Sequence, residues 1–176
     1  MIIELDGICE NGKVAVALIM SEITLNSIEQ HNTEYKFCRD AIDMCWEWLE
    51  GGNVDKYEIC SLIANDNKCL ADITNSTEDD KLGNKYGTIM ISVSYVAWQA
   101  YNKENNYNYP QYLEIVDDEY LVELISDLIE IDKLITEENI KFILNNFKER
   151  YPDNVNDKFC RISKAKILDN IVKGMK

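Results

Sequence analysis

STEDDKLGNKYGTIMISVSYVAWQAYN, residues Ser76–Asn102, decides the fold. Apolar side chains at Leu82, Tyr86, Ile89, Val93, Val96 and Ala100 recur three and four residues apart. That spacing lines one face of an α-helix, whereas a strand would repeat every second residue. Ser76 or Thr77 is placed to cap the helix, and Glu78, Asp79 and Asp80 suit the positive end of its dipole. The spacing predicts about six or seven turns ending near Asn102, at the centre of a bundle. Gly83 and Gly87 fall inside it without the lysine and hydroxyl of a phosphate-binding loop.

The same three-four rhythm extends in both directions. Upstream, a first helix is expected over about 11–30, built on Val14, Leu18, Leu25 and Ile28. Asn32 or Thr33 then caps a second, carrying Tyr35, Cys38, Ile42, Cys45 and Leu49 until Gly51-Gly52 stops it. A shorter helix holds Tyr57, Cys60, Leu62 and Ile63, and a turn or two surrounds Leu70. Downstream, Asn105–Pro110 reads as a loop. Asp117-Asp118-Glu119 opens a helix with Leu121, Leu124, Ile125 and Leu128 inward, and Thr136-Glu137-Glu138 caps another with Ile140, Ile143, Leu144 and Phe147. A last helix is expected from about Asp157 to Val172 on Ile162, Ala165, Leu168 and Ile171. The chain is therefore expected to be all-α, one domain over residues 1–176, with about seven helices.

Charge bounds the partners. The 176 residues hold 32 acidic and 18 basic side chains, a formal charge of −14. Nucleic acid would be repelled and anionic membrane surfaces are disfavoured, so neither is expected as a partner, because binding them needs cations. A basic protein would be steered toward the chain, though acidity also serves solubility alone. The apolar run Val14–Met20 follows Glu4, Asp6 and Glu10 rather than a basic segment, and it is too short to span a bilayer. The cysteines at 9, 38, 45, 60, 69 and 160 are then expected to be reduced, mostly buried thiols in a cytoplasmic protein.

The usual chemistry is missing. There is one histidine, His31, near a helix end, and no cysteine pair at zinc-finger spacing. No metal or cofactor is expected. Cys38 and Cys45 stand two turns apart on one helix, roughly 10 Å of rise, too far to share one ion. Acyl transfer would have only His31 as base. The carboxylate pairs Asp79-Asp80, Asp117-Asp118 and Glu137-Glu138 all fall at helix starts, where the dipole accounts for them, leaving a carboxylate hydrolase as the weakest alternative.

A binding surface is the better candidate. Glu119, Glu123, Asp127 and Glu130 fall four, four and three residues apart on one helix, and nine acidic residues stand against one lysine between Asp117 and Glu138. Like charges so spaced disfavour the helix by about 0.2–0.5 kcal/mol per pair, a disadvantage that a basic partner would reverse and that a solvated face would simply bear. Of the two tryptophans in CWEWLEGG (Cys45–Gly52), Trp46 belongs to the core stripe. Trp48 projects some 200° away, under a second helix or, failing that, as an interface anchor. Tyr107, Tyr109 and Tyr112 make the loop a second candidate surface, unless the rings tuck against the bundle.

In three features the chain resembles the sixth immunity-protein family of bacterial polymorphic toxin systems: Val14-Ala15-Val16-Ala17-Leu18, Cys45-Trp46-Glu47-Trp48-Leu49-Glu50-Gly51 and Tyr95-Val96-Ala97-Trp98-Gln99-Ala100-Tyr101. The resemblance implies an all-α, non-enzymatic protein that binds and neutralises the C-terminal domain of a cognate toxin encoded beside it. Occlusion of a basic, nuclease-like active site would be the mechanism, with Glu119, Glu123, Asp127, Glu130, Trp48, Tyr107 and Tyr109 as candidate contacts. A general helical interaction or regulatory module remains the alternative.

Overall fold

The run Val14–Met20 forms the middle of α1 (Glu10–Asn26), and each of its residues is at most 1 % exposed. A helix that is apolar all round must be covered all round, so α1 lies inside the bundle rather than along its edge. Its main neighbour is α5 (Asp80–Lys103), whose Tyr86, Ile89, Val93, Val96 and Ala100 are buried on the face foreseen from their spacing. Around this pair stand α2 (Tyr35–Leu49), α3 (Lys56–Ile63), α4 (Leu70–Ser76), α6 (Asp118–Glu130), α7 (Glu137–Arg150) and α8 (Lys164–Gly174).

The computed structural model describes residues 2–130, 133–153 and 159–174. Among the described residues there are eight α-helices, a 3₁₀ turn at Gln111–Leu113 and no strand beyond an isolated antiparallel bridge between Ile8 and Pro152. One continuous core connects every helix. No helix among the described residues is long and apolar enough to cross a membrane.

Local chemistry sets the helix ends. The end of α2 is a Schellman motif: Gly51 takes φ +80°, its N–H donates to Trp48 O at 3.0 Å, and Gly52 N–H donates to Glu47 O at 2.8 Å. At α3, Asp55 and Glu58 form a reciprocal capping box. Thr136 caps α7, as its spacing implied, accepting from Asn139 N–H at 3.2 Å.

Three boundaries differ from the sequence expectation, besides the start of the last helix. Ser76 and Thr77 do not cap α5, because both hydroxyls turn back to Ile73 O and close α4; Asp79 accepts from Leu82 N–H instead. Asn32 and Thr33 do not occupy the cap of α2. Asn32 Oδ1 accepts Glu34 N–H and the Tyr86 hydroxyl, so it fixes the turn ahead of the helix, and Glu34 takes the cap position. The first helix stops at Asn26, though Ile28 beyond it is still buried.

The expected start of the last helix, Asp157, lies outside the described residues. The helix itself starts at Lys164, with Ile162 ahead of it. In this register Ile167 and Ile171 are the buried pair, four residues apart, and Ala165 is exposed rather than inward.

Candidate functional site

Leu121, Leu124, Ile125 and Leu128 of α6 are buried, which turns the rest of the helix to solvent. Glu119, Glu123, Asp127 and Glu130 are all exposed along that outer side. The three acids at the helix start divide their roles. Asp117 accepts Tyr120 N–H at 2.9 Å, Asp118 points inward, and Glu119 begins the outer row. Burial, with the charge of Glu123 added, raises the Tyr120 phenol above its ordinary value. Asp127 also borders a cleft of about 350 Å³ with Thr74, Thr77, Asp80, Gly83 and Gly87.

The aromatic end of α5 presents a different surface. Ring centroids of Tyr57 and Tyr101 lie 6.3 Å apart, those of Tyr101 and Tyr109 5.7 Å, and those of Tyr109 and Tyr107 6.4 Å. Tyr109 is half-buried and its hydroxyl donates to Asn102, so it tucks against the bundle. Tyr107 does not: it is 66 % exposed, and Tyr57 at the other end of the row is 62 % exposed.

Trp46 and Trp48 both face inward, at 1 % and 7 % exposure, from opposite sides of α2. Trp48 is covered because the end of α5 crosses it, with Lys103 Nζ 5.2 Å from its ring centre. It lines the floor of a groove with Gly51, Gly52, Ala100 and Lys103. CWEWLEGG and YVAWQAY, separate in sequence, thus meet at one place. As a partner contact Trp48 would be reached only through that groove.

Sequence reasoning missed two buried polar clusters, because each is assembled from distant helices. In the first, Glu22 of α1 accepts from Arg39, Trp46 and Lys164. In the second, Lys13 pairs with Asp118 at 2.6 Å and with Glu10 at 3.7 Å, and Tyr95 Oη donates to Asp118 at 2.6 Å. Gln99 Nε2 completes it, donating to Glu10 at 2.9 Å and to Tyr95 Oη at 3.2 Å. Burial works against the Lys13 charge, yet the hydrogen bond and charge of Asp118, with Glu10 and Asp6 beyond, raise Lys13 above the usual lysine value. Burial and the adjacent Asp118 charge hold the Tyr95 phenol well above its usual value, so it remains a donor. The signals available in the sequence were Lys13, directly ahead of the apolar run Val14–Met20, and Gln99, a polar residue between Trp98 and Ala100.

His31 is exposed and lies 3.0 Å from Glu29 in the turn after α1, away from both clusters. Five of the six cysteines are buried, and Cys160 is partly exposed. Burial raises the thiol of Cys38 to about 12, with the Glu34 charge adding to it, and burial alone raises that of Cys45. Such thiols pack and do not react. Among the described residues, no group of three or more His, Cys, Asp or Glu could hold a metal ion.

The family model described as Immunity protein Imm6 matches residues 12–131, more than half of the chain, which include both tryptophan motifs and α6. No curated protein and no solved structure matches.

Proposed function

Because the chain belongs to the Imm6 family of immunity proteins, we propose that it neutralises its cognate toxin by binding the toxin's C-terminal domain through the outer face of α6. The observation that carries this reading is the exposure of Glu119, Glu123, Asp127 and Glu130 in one row, on a chain of net charge −14. A row of carboxylates attracts a basic surface at long range and accepts charge-assisted hydrogen bonds at contact. A nuclease, whose substrate is polyanionic, carries such a surface at its active site. Covering that site blocks substrate without chemistry, in the cytoplasm of the producing cell, and needs no cofactor, membrane or nucleic acid.

An occluding interface of ordinary stability buries about 1,200–2,000 Å² in total. The row on α6 supplies steering, and the exposed Tyr107 supplies contact area with little rotamer entropy to lose.

The test pairs the toxin domain encoded beside this gene with the purified chain. Rescue of growth together with nanomolar binding, about −12 kcal/mol, supports the reading. Reversing Glu123 and Asp127 to lysine slows association by about tenfold or more at low salt and much less at high salt, as steering requires. Rescue without binding, or association rates untouched by reversal, removes α6 from the site.

A further inference from the structure

A second cleft, apart from the α6 face, lies between the start of α1, the end of α5 and the following loop. It encloses about 350 Å³, and its chemistry is set by Glu10, Trp98, Gln99, Tyr107, Asp118 and Phe159. Glu10 and Asp118 share one ammonium, that of Lys13, at 3.7 and 2.6 Å. Two carboxylates against one cation leave the cleft negative. Three aromatic rings stand around it, one of them the 66 % exposed Tyr107.

Gln99 adds an independent sign of a ligand. It is only 1 % exposed, and its Nε2 is spent on Glu10 and Tyr95. Its Oε1 is buried with no hydrogen-bond partner. A buried carbonyl oxygen is seldom left so, since it has given up water and gained nothing in return. The cleft therefore lacks a hydrogen-bond donor that is cationic and compatible with aromatic faces. A carboxylate or phosphate would be repelled by Glu10 and Asp118, and an apolar group would leave Oε1 unpaired. An ammonium brings charge but no plane, whereas a guanidinium brings charge, several N–H donors and a flat face that stacks on rings.

We propose that this cleft receives one arginine side chain of the toxin domain, its plane against Trp98 and Tyr107 and one N–H donated to Gln99 Oε1. The inference rests on the reading of a basic protein partner. Gln99 Oε1 is closed to solvent in the free chain, so reaching it requires a side-chain shift in the lining of the cleft. The site anchors the partner at a defined point, in contrast to the α6 row, which attracts it from a distance.

Two experiments separate this inference from the reading beneath it. In the first, the isolated chain is titrated with N-acetyl-arginine amide and with its citrulline counterpart, which has the same shape without the charge, while nuclear magnetic resonance follows the Gln99 amide and Trp98 indole signals. Saturable shifts with arginine alone support the cleft; equal shifts with both, or none at these residues, overturn it.

In the second, Tyr107→Ala, which removes an exposed ring and leaves the buried cluster intact, and Gln99→Met, which keeps shape but removes the acceptor together with the amide donations to Glu10 and Tyr95, are titrated with the neighbouring toxin domain. Each is expected to weaken binding about tenfold, with dissociation rate changing more than association rate. Wild-type affinity in both variants overturns the cleft while toxin binding stands. If the toxin domain does not bind the wild type, the functional reading falls and the arginine titration alone decides the cleft.

Discussion

The Trp46 indole N–H donates to Glu22 Oε1 across 3.1 Å, joining α2 to a carboxylate that is only 7 % exposed on α1. The same carboxylate accepts from both terminal nitrogens of Arg39, at 2.9 and 2.8 Å, and lies 3.0 Å from Lys164 Nζ of α8. Three helices converge on one buried charge. Removing a group so compensated strands its partners, and hydrogen bonds to charged groups are worth about 1.5–3 kcal/mol. Glu22→Gln keeps an oxygen for Trp46 but removes the charge. We expect a loss of about 1.5–3 kcal/mol in urea unfolding at pH 7; an unchanged midpoint would show that the cluster contributes nothing net.

The same site sets part of the acid limb of stability. Burial alone would raise the Glu22 carboxyl, but the hydrogen bonds and charges of Arg39 and Lys164 outweigh it and hold the group below the usual carboxylate value. Above the unfolded value, about 4.3, both states are ionised and the contribution is complete. As pH falls through that range the unfolded chain gains a proton that the folded chain refuses, so stability drops until the folded value is passed. Urea midpoints measured from pH 7 to pH 3 should therefore fall less steeply in Glu22→Gln than in the wild type; parallel profiles would contradict this assignment.

These clusters show what the sequence could and could not disclose. The α5 stripe and the spacing of the four α6 acids are set within single helices, where a period of 3.6 residues is enough, and both were legible; the exposure of those acids depends on how α6 packs and comes from the structure. The Glu22 cluster draws on α1, α2 and α8, and no spacing within one helix links Glu22 to Lys164. Ser76 and Thr77 misled for a local reason: a hydroxyl suited to a helix start is also suited to bonding back to a carbonyl four residues earlier, and the short α4 claimed Thr77 first. Ala165 is exposed because the core side of the last helix is set by Ile167 and Ile171, and Ala165 stands about 200° around the helix from Ile167.

Gly83 and Gly87 lie inside α5 without any packing need to be glycine. A Cβ at Gly83 would meet nothing nearer than 3.9 Å, and one at Gly87 nothing nearer than 3.8 Å. Alanine is the better helix former by about 0.8–1.0 kcal/mol. Gly83→Ala and Gly87→Ala should each raise the thermal midpoint, read by circular dichroism. Both positions line the cleft that Asp127 borders, so a stabilised variant that also lost toxin affinity would place the partner there. A fall in midpoint would mean the helix bends at these glycines.

The thiols should report folding rather than redox chemistry. Cys9, Cys38, Cys45, Cys60 and Cys69 are buried, and Cys160 alone is partly exposed. In native protein a chromogenic disulfide reagent should modify Cys160 first, with the buried five following only as fast as the chain opens. Rapid modification of Cys38 or Cys45, whose thiols burial holds in the protonated form, would show that the α2 face is not sealed.

The outer face of α6 sets stability against binding. Glu119 to Glu123 and Glu123 to Asp127 are like-charged pairs four residues apart on an exposed surface, each disfavouring the helix by about 0.2–0.5 kcal/mol. Glu123→Lys turns both into attractive pairs, so the free protein should gain a few tenths of a kcal/mol in urea unfolding. If α6 meets a basic toxin, the same variant should associate more slowly at low salt and protect cells less well. The opposite signs matter, because a variant that weakens protection while the fold grows more stable has lost a contact and not a structure. Equal protection from the stabilised variant would instead mean that the acidic row is only a solvated face, and the partner surface would then have to be sought at the aromatic end of α5.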